Sequence, residues 1–250
     1  MKFLGIIPAR YESSRFPGKS LADLGGKPLI VRVYNQVKKV LDNVIVATDD
    51  QRIEAAVKDA GGQALMTGHE HKSGTDRCAE AARLYCKSGN LVDVIINVQG
   101  DEPFIREEQI KMLMKCFDDQ HVDIATLVNP IRSNDDIFNS NIVKVIKNHE
   151  DIAMYFSRSP IPYLRKTDRS AWSRHHQFLR HIGVYAFRYR ILQEITELPQ
   201  SSLELAESLE QNRWLENNYR IKIRLTDMET FSIDTPGDLK NAKKYLSELD

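Results

Sequence analysis

The run Val94-Ile95-Ile96, taken up again at Val98 after Asn97, does most to limit what this chain can fold into. An unbroken apolar stretch of strand length has no polar face. It predicts a strand, within Val92–Val98, that is covered on both sides. Such strands belong to largely parallel sheets, whose crossovers are helices. The N-terminal half supplies that alternation. Strands are predicted over Phe3–Ile7, Val44–Thr48 and Gln63–Met66. A helix opened by Pro28 repeats Leu29, Val33, Val37 and Val40, and a helix over Arg52–Ala60 is closed by Gly61-Gly62. Helices over Ser73–Tyr85 and Glu107–Phe117 complete the half.

Beyond residue 122 the pattern turns β-rich, with strands predicted over Asp123–Val128, Ile142–Asn148, Ile152–Arg158 and Phe178–Phe187. The second and third form a hairpin with its acidic turn at His149-Glu150-Asp151. Residues 165–177 read as a polar, basic, mobile loop. A single helix is predicted over Ser201–Glu216, its start marked by the capping box Ser201/Glu204. The last helix opens at Thr235-Pro236 and turns Leu239, Ala242, Leu246 and Leu249 inward. The expected fold class is α/β: one domain over 1–250, with a Rossmann-like, mostly parallel central sheet flanked by helices. A β-rich insertion occupies roughly residues 123–190.

Lys+Arg and Asp+Glu balance at 35 each. No global basic field exists to favour nucleic acid or a membrane surface, so an anion site must come from local clustering. The N-terminal apolar run is too short for a signal peptide or a span, and the chain is expected to be cytoplasmic. Cys78, Cys86 and Cys116 include no Cys-x-x-Cys pair. Cys78 and Cys86 would lie roughly 12 Å apart along a helix, beyond disulfide reach. They are expected as free, small hydrophobes.

The first strand empties into Pro8-Ala9-Arg10-Tyr11-Glu12-Ser13-Ser14-Arg15-Phe16-Pro17-Gly18-Lys19. Ligands of open α/β sheets bind at strand carboxyl ends, and Arg10, Arg15 and Lys19 there suit a polyphosphate. Gly18-Lys19-Ser20 mimics the end of a Walker A loop, but Ser13 stands where its first glycine belongs. No Gly-x-Gly-x-x-Gly follows the strand, which disfavours a dinucleotide oxidoreductase. On three cations alone, a surface turn with solvated side chains is the better reading. Two acids carry the same ambiguity. Asp101 is either a turn acid in Gly-Asp-Glu-Pro or a cation ligand at the end of the central strand. Asp234 either complements a helix dipole or ligates a cation.

The string Ile7-Pro8-Ala9-Arg10-Tyr11 with Ser14-Arg15-Phe16-Pro17-Gly18-Lys19 resembles the signature of the cytidylyltransferases that activate 3-deoxy-2-keto sugar acids. The likeness continues at Val46-Ala47-Thr48-Asp49, Ser73-Gly74-Thr75-Asp76-Arg77 and Asn97-Val98-Gln99-Gly100-Asp101-Glu102-Pro103. It runs on through Tyr155-Phe156-Ser157-Arg158, Arg180-His181-Ile182-Gly183-Val184-Tyr185 and Ile233-Asp234-Thr235-Pro236. Within that group it is most similar to the 3-deoxy-manno-octulosonate (Kdo) cytidylyltransferase family, of nucleotide-diphospho-sugar transferase type.

The resemblance implies transfer of CMP from CTP to the anomeric 2-hydroxyl of Kdo, releasing pyrophosphate, for lipopolysaccharide assembly. It implies a homodimer meeting through the hairpin Ile142–Arg158, and Mg²⁺ held by Asp101 and Asp234. Arg10 and Lys19 would offset charge on the phosphates, with Arg15 assisting. Pro8, Ala9, Arg10, Ser73, Gly74, Arg77 and Gln99 would bind the nucleotide, although Ser73 also reads as a plain N-cap. Arg158, His181, Tyr185, Glu204, Glu207, Gln211 and Gln99 would face the sugar acid. His181 and Tyr185 share a strand face, and Glu204, Glu207 and Gln211 form one helical stripe that would otherwise be a solvated face.

Asn212 interrupts the family's usual Leu-Glu-Gln-Leu-Arg pattern and could alter packing behind the sugar, and Gly237 stands where Glu is common. His69, Glu70 and His71 offer too few ligands for a metal in one short loop. His175-His176 read as solvent-facing, and Trp172 and Trp214 as packing or interface residues. The competing readings are a cytidylyltransferase for sialic acid or 8-amino-Kdo, and a non-catalytic nucleotide-binding regulator. A regulator should lack one of Arg10, Lys19, Asp101 and Asp234; all are present.

Overall fold

The computed structural model describes residues 1–13 and 15–247, so Ser14 of the N-terminal loop and Leu249 of the last helix lie outside the described residues. Two units divide the chain, the first comprising Met1–Lys111, Phe187–Thr196 and the segment from Thr230 onward. It begins with β1 (Phe3–Ala9), followed by α1 (Leu29–Lys38), β2 (Val44–Thr48), α2 (Gln51–Asp59) and β3 (Ala64–Met66). Then come α3 (Gly74–Lys87), β4 (Val94–Asn97) and the start of α4 (Glu107–Cys116). β1 pairs in parallel with both β2 and β4, and β2 with β3, giving the order β3-β2-β1-β4.

Every residue of β2 and β4 is buried, as the unbroken apolar runs require. Because the pairings are parallel, with Ala9 opposite Thr48 and Ile6 opposite Asn97, the strands' carboxyl ends open along one edge. The helices start where their sequences provide caps. Asp50 accepts from the Arg52 N–H at α2, and Ser73 and Asp76 form a reciprocal capping box at α3. α1 starts instead on Pro28, whose fixed φ suits a helix entry.

The second unit comprises Met112–Ala186 and Glu197–Glu229. Here β5 (Ile124–Pro130) is followed by α5 (Asn134–Phe138), β6 (Lys144–Lys147), β7 (Ala153–Ser157), α6 (Trp172–His175) and β8 (Leu179–Arg188). β6 pairs antiparallel with β7, the expected hairpin, and also with β8. The chain returns to the first unit for α7 (Tyr189–Thr196). It then supplies α8 (Ser202–Glu207), α9 (Glu210–Glu216) and β9 (Ile221–Leu225), the last parallel to β5, before α10 (Pro236–Ser247). α5, α7 and β9 are absent from the sequence expectation. The alternation of Ile221, Ile223 and Leu225 with Lys222 and Arg224 carries a strand signal for β9, and the first two helices are only one or two turns long.

Two expectations are corrected. The helix over Ser201–Glu216 is broken at Ser208, which takes a left-handed conformation (φ 52°) and separates α8 from α9. The capping box at Ser201 and Glu204 forms, but no continuous i, i+3, i+7 stripe exists. Residues 165–177 are not an unstructured polar loop either. They hold a 3₁₀ turn (Arg169–Ala171) and α6, anchored by Trp172, which is 1% exposed and packs with Ile131, Ile137 and Phe178. Asn134 fastens the segment further, accepting from the Ser173 N–H and donating to the Arg169 carbonyl. A basic composition hides this single large anchor.

Burial accounts for several isolated residues. Trp214 is 1% exposed, Cys78 and Cys116 are buried and Cys86 is half-buried; the three cysteines form no disulfide. His175 and His176 are exposed. Asn212 does not loosen the packing around it. Its side-chain amide accepts from the Phe156 N–H (3.3 Å) and donates to the Phe156 carbonyl (3.0 Å), satisfying both polar groups of that residue of β7. Lys144 is fully buried, and its ammonium donates to the carbonyls of Asn139 (2.9 Å), Ile142 (2.6 Å) and Arg158 (2.6 Å). Burial lowers its pKa from the ordinary lysine value.

Trp172→Ala should lower the unfolding free energy by about 3–5 kcal/mol, the cost of emptying a large aromatic site. Urea denaturation followed by far-UV circular dichroism measures this. A loss near zero would mean that the segment 165–177 is not held as described.

Candidate active site

At the carboxyl edge of the first unit's sheet lies a cavity of about 270 Å³, near the lower end of small-molecule sites, which start at roughly 300 Å³. One wall is the chain leaving β1, with Pro8, Ala9, Arg10, Ser13 and Arg15. Another is the start of α3, with Ser73, Gly74 and Arg77, and the loop after β4 adds Gln99, Gly100 and Asp101. Lys19, Ser20 and Asp234 complete the cationic end. Every residue expected to bind nucleotide or metal therefore lies around one space. The walls meet closely: a Cβ on Gly100 would stand 2.9 Å from the Pro8 carbonyl oxygen, so only glycine fits there.

The centre of the site is Lys19. A left-handed Gly18 (φ 73°) turns the chain into a short 3₁₀ helix that carries it. Its ammonium donates to Asp101 Oδ2 (2.7 Å) and Asp234 Oδ1 (3.1 Å), and Arg15 reaches Asp234 Oδ2 at 3.3 Å. Burial alone would lower the Lys19 pKa, but Asp101 and then Asp234 outweigh it and raise the value above that of a free lysine.

The capping of α10 falls to residues other than Asp234. At the start of α10, Asp238 accepts from the Thr235 N–H and hydroxyl while Thr235 Oγ1 accepts from the Asp238 N–H. Those two residues perform the capping, and the Asp234 carboxylate points to the cations instead. The Ile233 N–H donates to the Asp101 carbonyl (2.9 Å), fixing the two acidic segments to each other. Among the described residues no three His, Cys, Asp or Glu side chains converge as metal ligands. Two converging carboxylates are nonetheless the donor set that Mg²⁺ takes when phosphates and water supply the rest.

Ser73 and Gly74 present the positive end of α3 to the cavity, which favours an anion or a polar base edge. Arg77 is differently placed from a free ligand. It is buried, and its guanidinium donates to Thr67 Oγ1 (2.6 Å), the Gly68 carbonyl (3.2 Å) and Asp49 Oδ2 (2.7 Å). It braces the wall. His71 and Lys72, which the sequence reading leaves out of the nucleotide set, also line the cavity. His71 Nε2 is hydrogen-bonded to Glu80, which also accepts from the Gly68 N–H. Burial works against that carboxylate, yet His71 and Gly68 hold its pKa below the usual range. Adjacency to Ser73-Gly74 was the signal available for both residues.

The remaining candidates lie in the second unit, apart from Gln99, whose side chain donates to Asn97 Oδ1. His181 and Tyr185 project from one strand face with ring centroids 5.1 Å apart. His181 is within 3.1 Å of Thr126 Oγ1, and the surrounding packing lowers its pKa to about 3, so it is a neutral partner and not a cation. Tyr185 is buried, which raises its pKa well above the phenol value.

Arg158 and Glu207 clasp each other's segments. The guanidinium donates to the carbonyls of Glu207 (2.7 Å), Ser140 (3.1 Å) and Ser208 (3.3 Å). The Glu207 carboxylate accepts from Ser157 Oγ (2.6 Å), the Arg158 N–H (2.9 Å) and Tyr155 OH (3.4 Å). Burial disfavours the ionised acid, but those donors win and lower its pKa. Glu204 caps α8 and stands 3.5 Å from Arg213 Nε, while Gln211 is buried on α9. The break at Ser208 thus separates Glu204 and Glu207 from Gln211.

The cytidylyltransferase family profile matches residues 4–223. The 3-deoxy-manno-octulosonate cytidylyltransferase of Parabacteroides distasonis is 59% identical over 99% of both chains, and that of Bacteroides thetaiotaomicron is 56% identical over 98% of both. A solved structure of CMP:2-keto-3-deoxy-manno-octonic acid synthetase complexed with CTP superposes with a TM-score of 0.92, at 40% identity and full coverage of both chains. A glucose-1-phosphate thymidylyltransferase from Bacillus anthracis shares the fold alone, at 15% identity and a TM-score of 0.66, covering 99% of this chain and 96% of its own. By its profile match and by its identity to these relatives, the chain belongs to the 3-deoxy-manno-octulosonate cytidylyltransferase family.

Proposed function

We propose that this chain transfers CMP from CTP to the anomeric 2-hydroxyl of Kdo, giving CMP-Kdo and pyrophosphate for lipopolysaccharide assembly. The observation that carries the reading is the Lys19 ammonium held by Asp101 and Asp234 in the wall of a cation-lined cavity. Asp101 and Asp234 would hold Mg²⁺. When bound, the ion supplies Lewis-acid polarisation of the phosphate and eases loss of the sugar's hydroxyl proton. Arg10, Lys19 and Arg15 offset the charge that develops on the phosphates as the α-phosphorus–oxygen bond to pyrophosphate breaks. The start of α3 at Ser73 and Gly74, with Pro8, Ala9 and Gln99, binds the nucleoside, and Arg77 holds that wall in place.

For the sugar acid, neutral His181 and Tyr185 suit hydroxyl recognition through hydrogen bonds. Arg158 and Glu207 contribute by fixing the backbone around Ser157 and Ser208, and Glu204 and Gln211 complete the set. The hairpin over Ile142–Arg158, on which Met154 is 59% exposed, is the proposed contact of a homodimer. No helix among the described residues is long and apolar enough to cross a membrane. The proposed site of action is the cytoplasm.

In a pyrophosphate-release assay with CTP, Kdo and Mg²⁺, Asp101→Ala and Asp234→Ala should each lower the rate about 10²–10³-fold, as removal of a transition-state charge partner does. Chelation should abolish the rate and added Mg²⁺ restore it. An unchanged rate in either variant would overturn the metal assignment. With N-acetylneuraminate in place of Kdo, kcat/KM should fall at least about 10²-fold, since a site built to hydrogen-bond one set of hydroxyls leaves groups unpaired with another. A preference for N-acetylneuraminate would select the sialic-acid reading.

His181 also sets a pH dependence. Its folded pKa of about 3 lies below the unfolded value of 6.5, so below pH 6.5 the unfolded chain binds a proton that the folded chain does not. Stability is therefore full above pH 6.5 and falls as the pH drops toward 3, by up to about 1.4 kcal/mol per pH unit from this group. Urea midpoints at pH 7 and pH 5 should differ more for the wild type than for His181→Gln. Equal differences would mean that His181 ionises in the folded chain.

A further inference from the structure

The loop between Arg10 and Lys19 is closed on itself by the Gly18 N–H, which donates to the Tyr11 carbonyl at 2.9 Å. The Tyr11 ring packs against Gly18, where an added Cβ would stand 3.2 Å from the phenol oxygen. The guanidinium of Arg52 lies over the same ring, with its central carbon 3.3 Å from the centroid. Arg52 does not wander there. Its Nε and Nη2 donate to the two carboxylate oxygens of Asp50 at 3.0 and 2.6 Å, a forked contact that orients the plane. Asp50 is in turn the N-cap of α2, and its N–H donates to Thr48 Oγ1 (3.2 Å) at the end of β2. Neither Tyr11 nor Arg52 is among the described residues lining the cavity, so both act from behind it.

We propose that Arg52 is a positioning residue for the nucleotide: through the Tyr11 ring it latches the loop that carries Arg10, Ser13, Arg15 and Lys19 to the rigid junction of β2 and α2. This inference rests on the nucleotide reading of the cavity. An Arg52 serving only as the surface partner of Asp50 would not need a ring beneath its plane. A loop of this length that is ordered before binding saves the entropy that ligand capture would otherwise cost. The neighbouring Asp49 does the corresponding work on the other wall through Arg77, so consecutive acids at the end of β2 anchor both sides.

The test is a double-mutant cycle on CTP affinity by calorimetry, with the wild type, Arg52→Ala, Tyr11→Ala and the double variant, each checked by thermal melting. Each single change should raise the Kd roughly threefold to tenfold, the range of a released cation–π contact and some loop order, and the double variant no further. Tyr11→Phe should keep the wild-type Kd and Arg52→Lys should fall between. The Michaelis constant should rise with kcat nearly unchanged, because the groups at the phosphates remain. Trypsin cleavage after Arg15 in the nucleotide-free chain reads loop order without reference to CTP and should accelerate in Arg52→Ala. Additive losses, unchanged affinities, or an unchanged cleavage rate would each overturn the latch. A wild type that fails to bind CTP while Arg52→Ala is still cleaved faster would overturn the nucleotide reading and leave the latch standing.

Discussion

One ammonium shared by two carboxylates organises the first unit. Lys19, Asp101 and Asp234 come from three segments far apart in sequence, and none would hold its position alone. Two acids drawn together repel each other, and a lysine removed from water loses hydration. Each of these costs is offset only by the others' presence. The backbone reinforces the arrangement: the Ile233 N–H ties the Asp234 segment to Asp101, and Asp238 with Thr235 relieves Asp234 of capping. A site assembled in this way already stabilises a cation between two acids, which is the property a metal-assisted phosphate reaction requires.

Around that centre the fold separates groups open to the cavity from groups that hold those groups still. The first kind comes from strand ends and helix starts, where a parallel sheet exposes free polar backbone. The second kind includes Arg77, Asp49, Glu80 and Arg52, each engaged with protein atoms on at least one side. Arg158 and Glu207 behave in the same manner in the second unit. Charged side chains near a site are therefore poor guides to contact with substrate until their hydrogen bonds have been followed.

That distinction also explains how far the sequence could be read. The parallel core was legible because Val94-Ile95-Ile96 and the runs in β1 and β2 admit no other environment. The cavity at the sheet edge was legible because its lining residues cluster in short motifs placed after strands and before a helix. What escaped depends on single contacts between distant residues. Nothing local in Ser201–Glu216 signals that Ser208 adopts a left-handed backbone, since a serine carries no such preference. Trp172 is one apolar residue in a basic stretch, and only its partners Ile131, Ile137 and Phe178 reveal that it folds the segment inward. Arg77 and Arg158 look like ligands by charge, and their bonds to carbonyls, the Thr67 hydroxyl and the Asp49 carboxylate become apparent only in three dimensions.

Lys144 extends the same theme into the interior. Three carbonyl oxygens converging without a partner would call for a bound potassium or sodium ion. Here the chain carries its own monovalent charge on a flexible stem, delivered to Asn139, Ile142 and Arg158. A dissolved ion would come and go with the composition of the medium. A tethered one cannot leave, so the junction beside Arg158 keeps its shape whatever salts the surrounding solution contains.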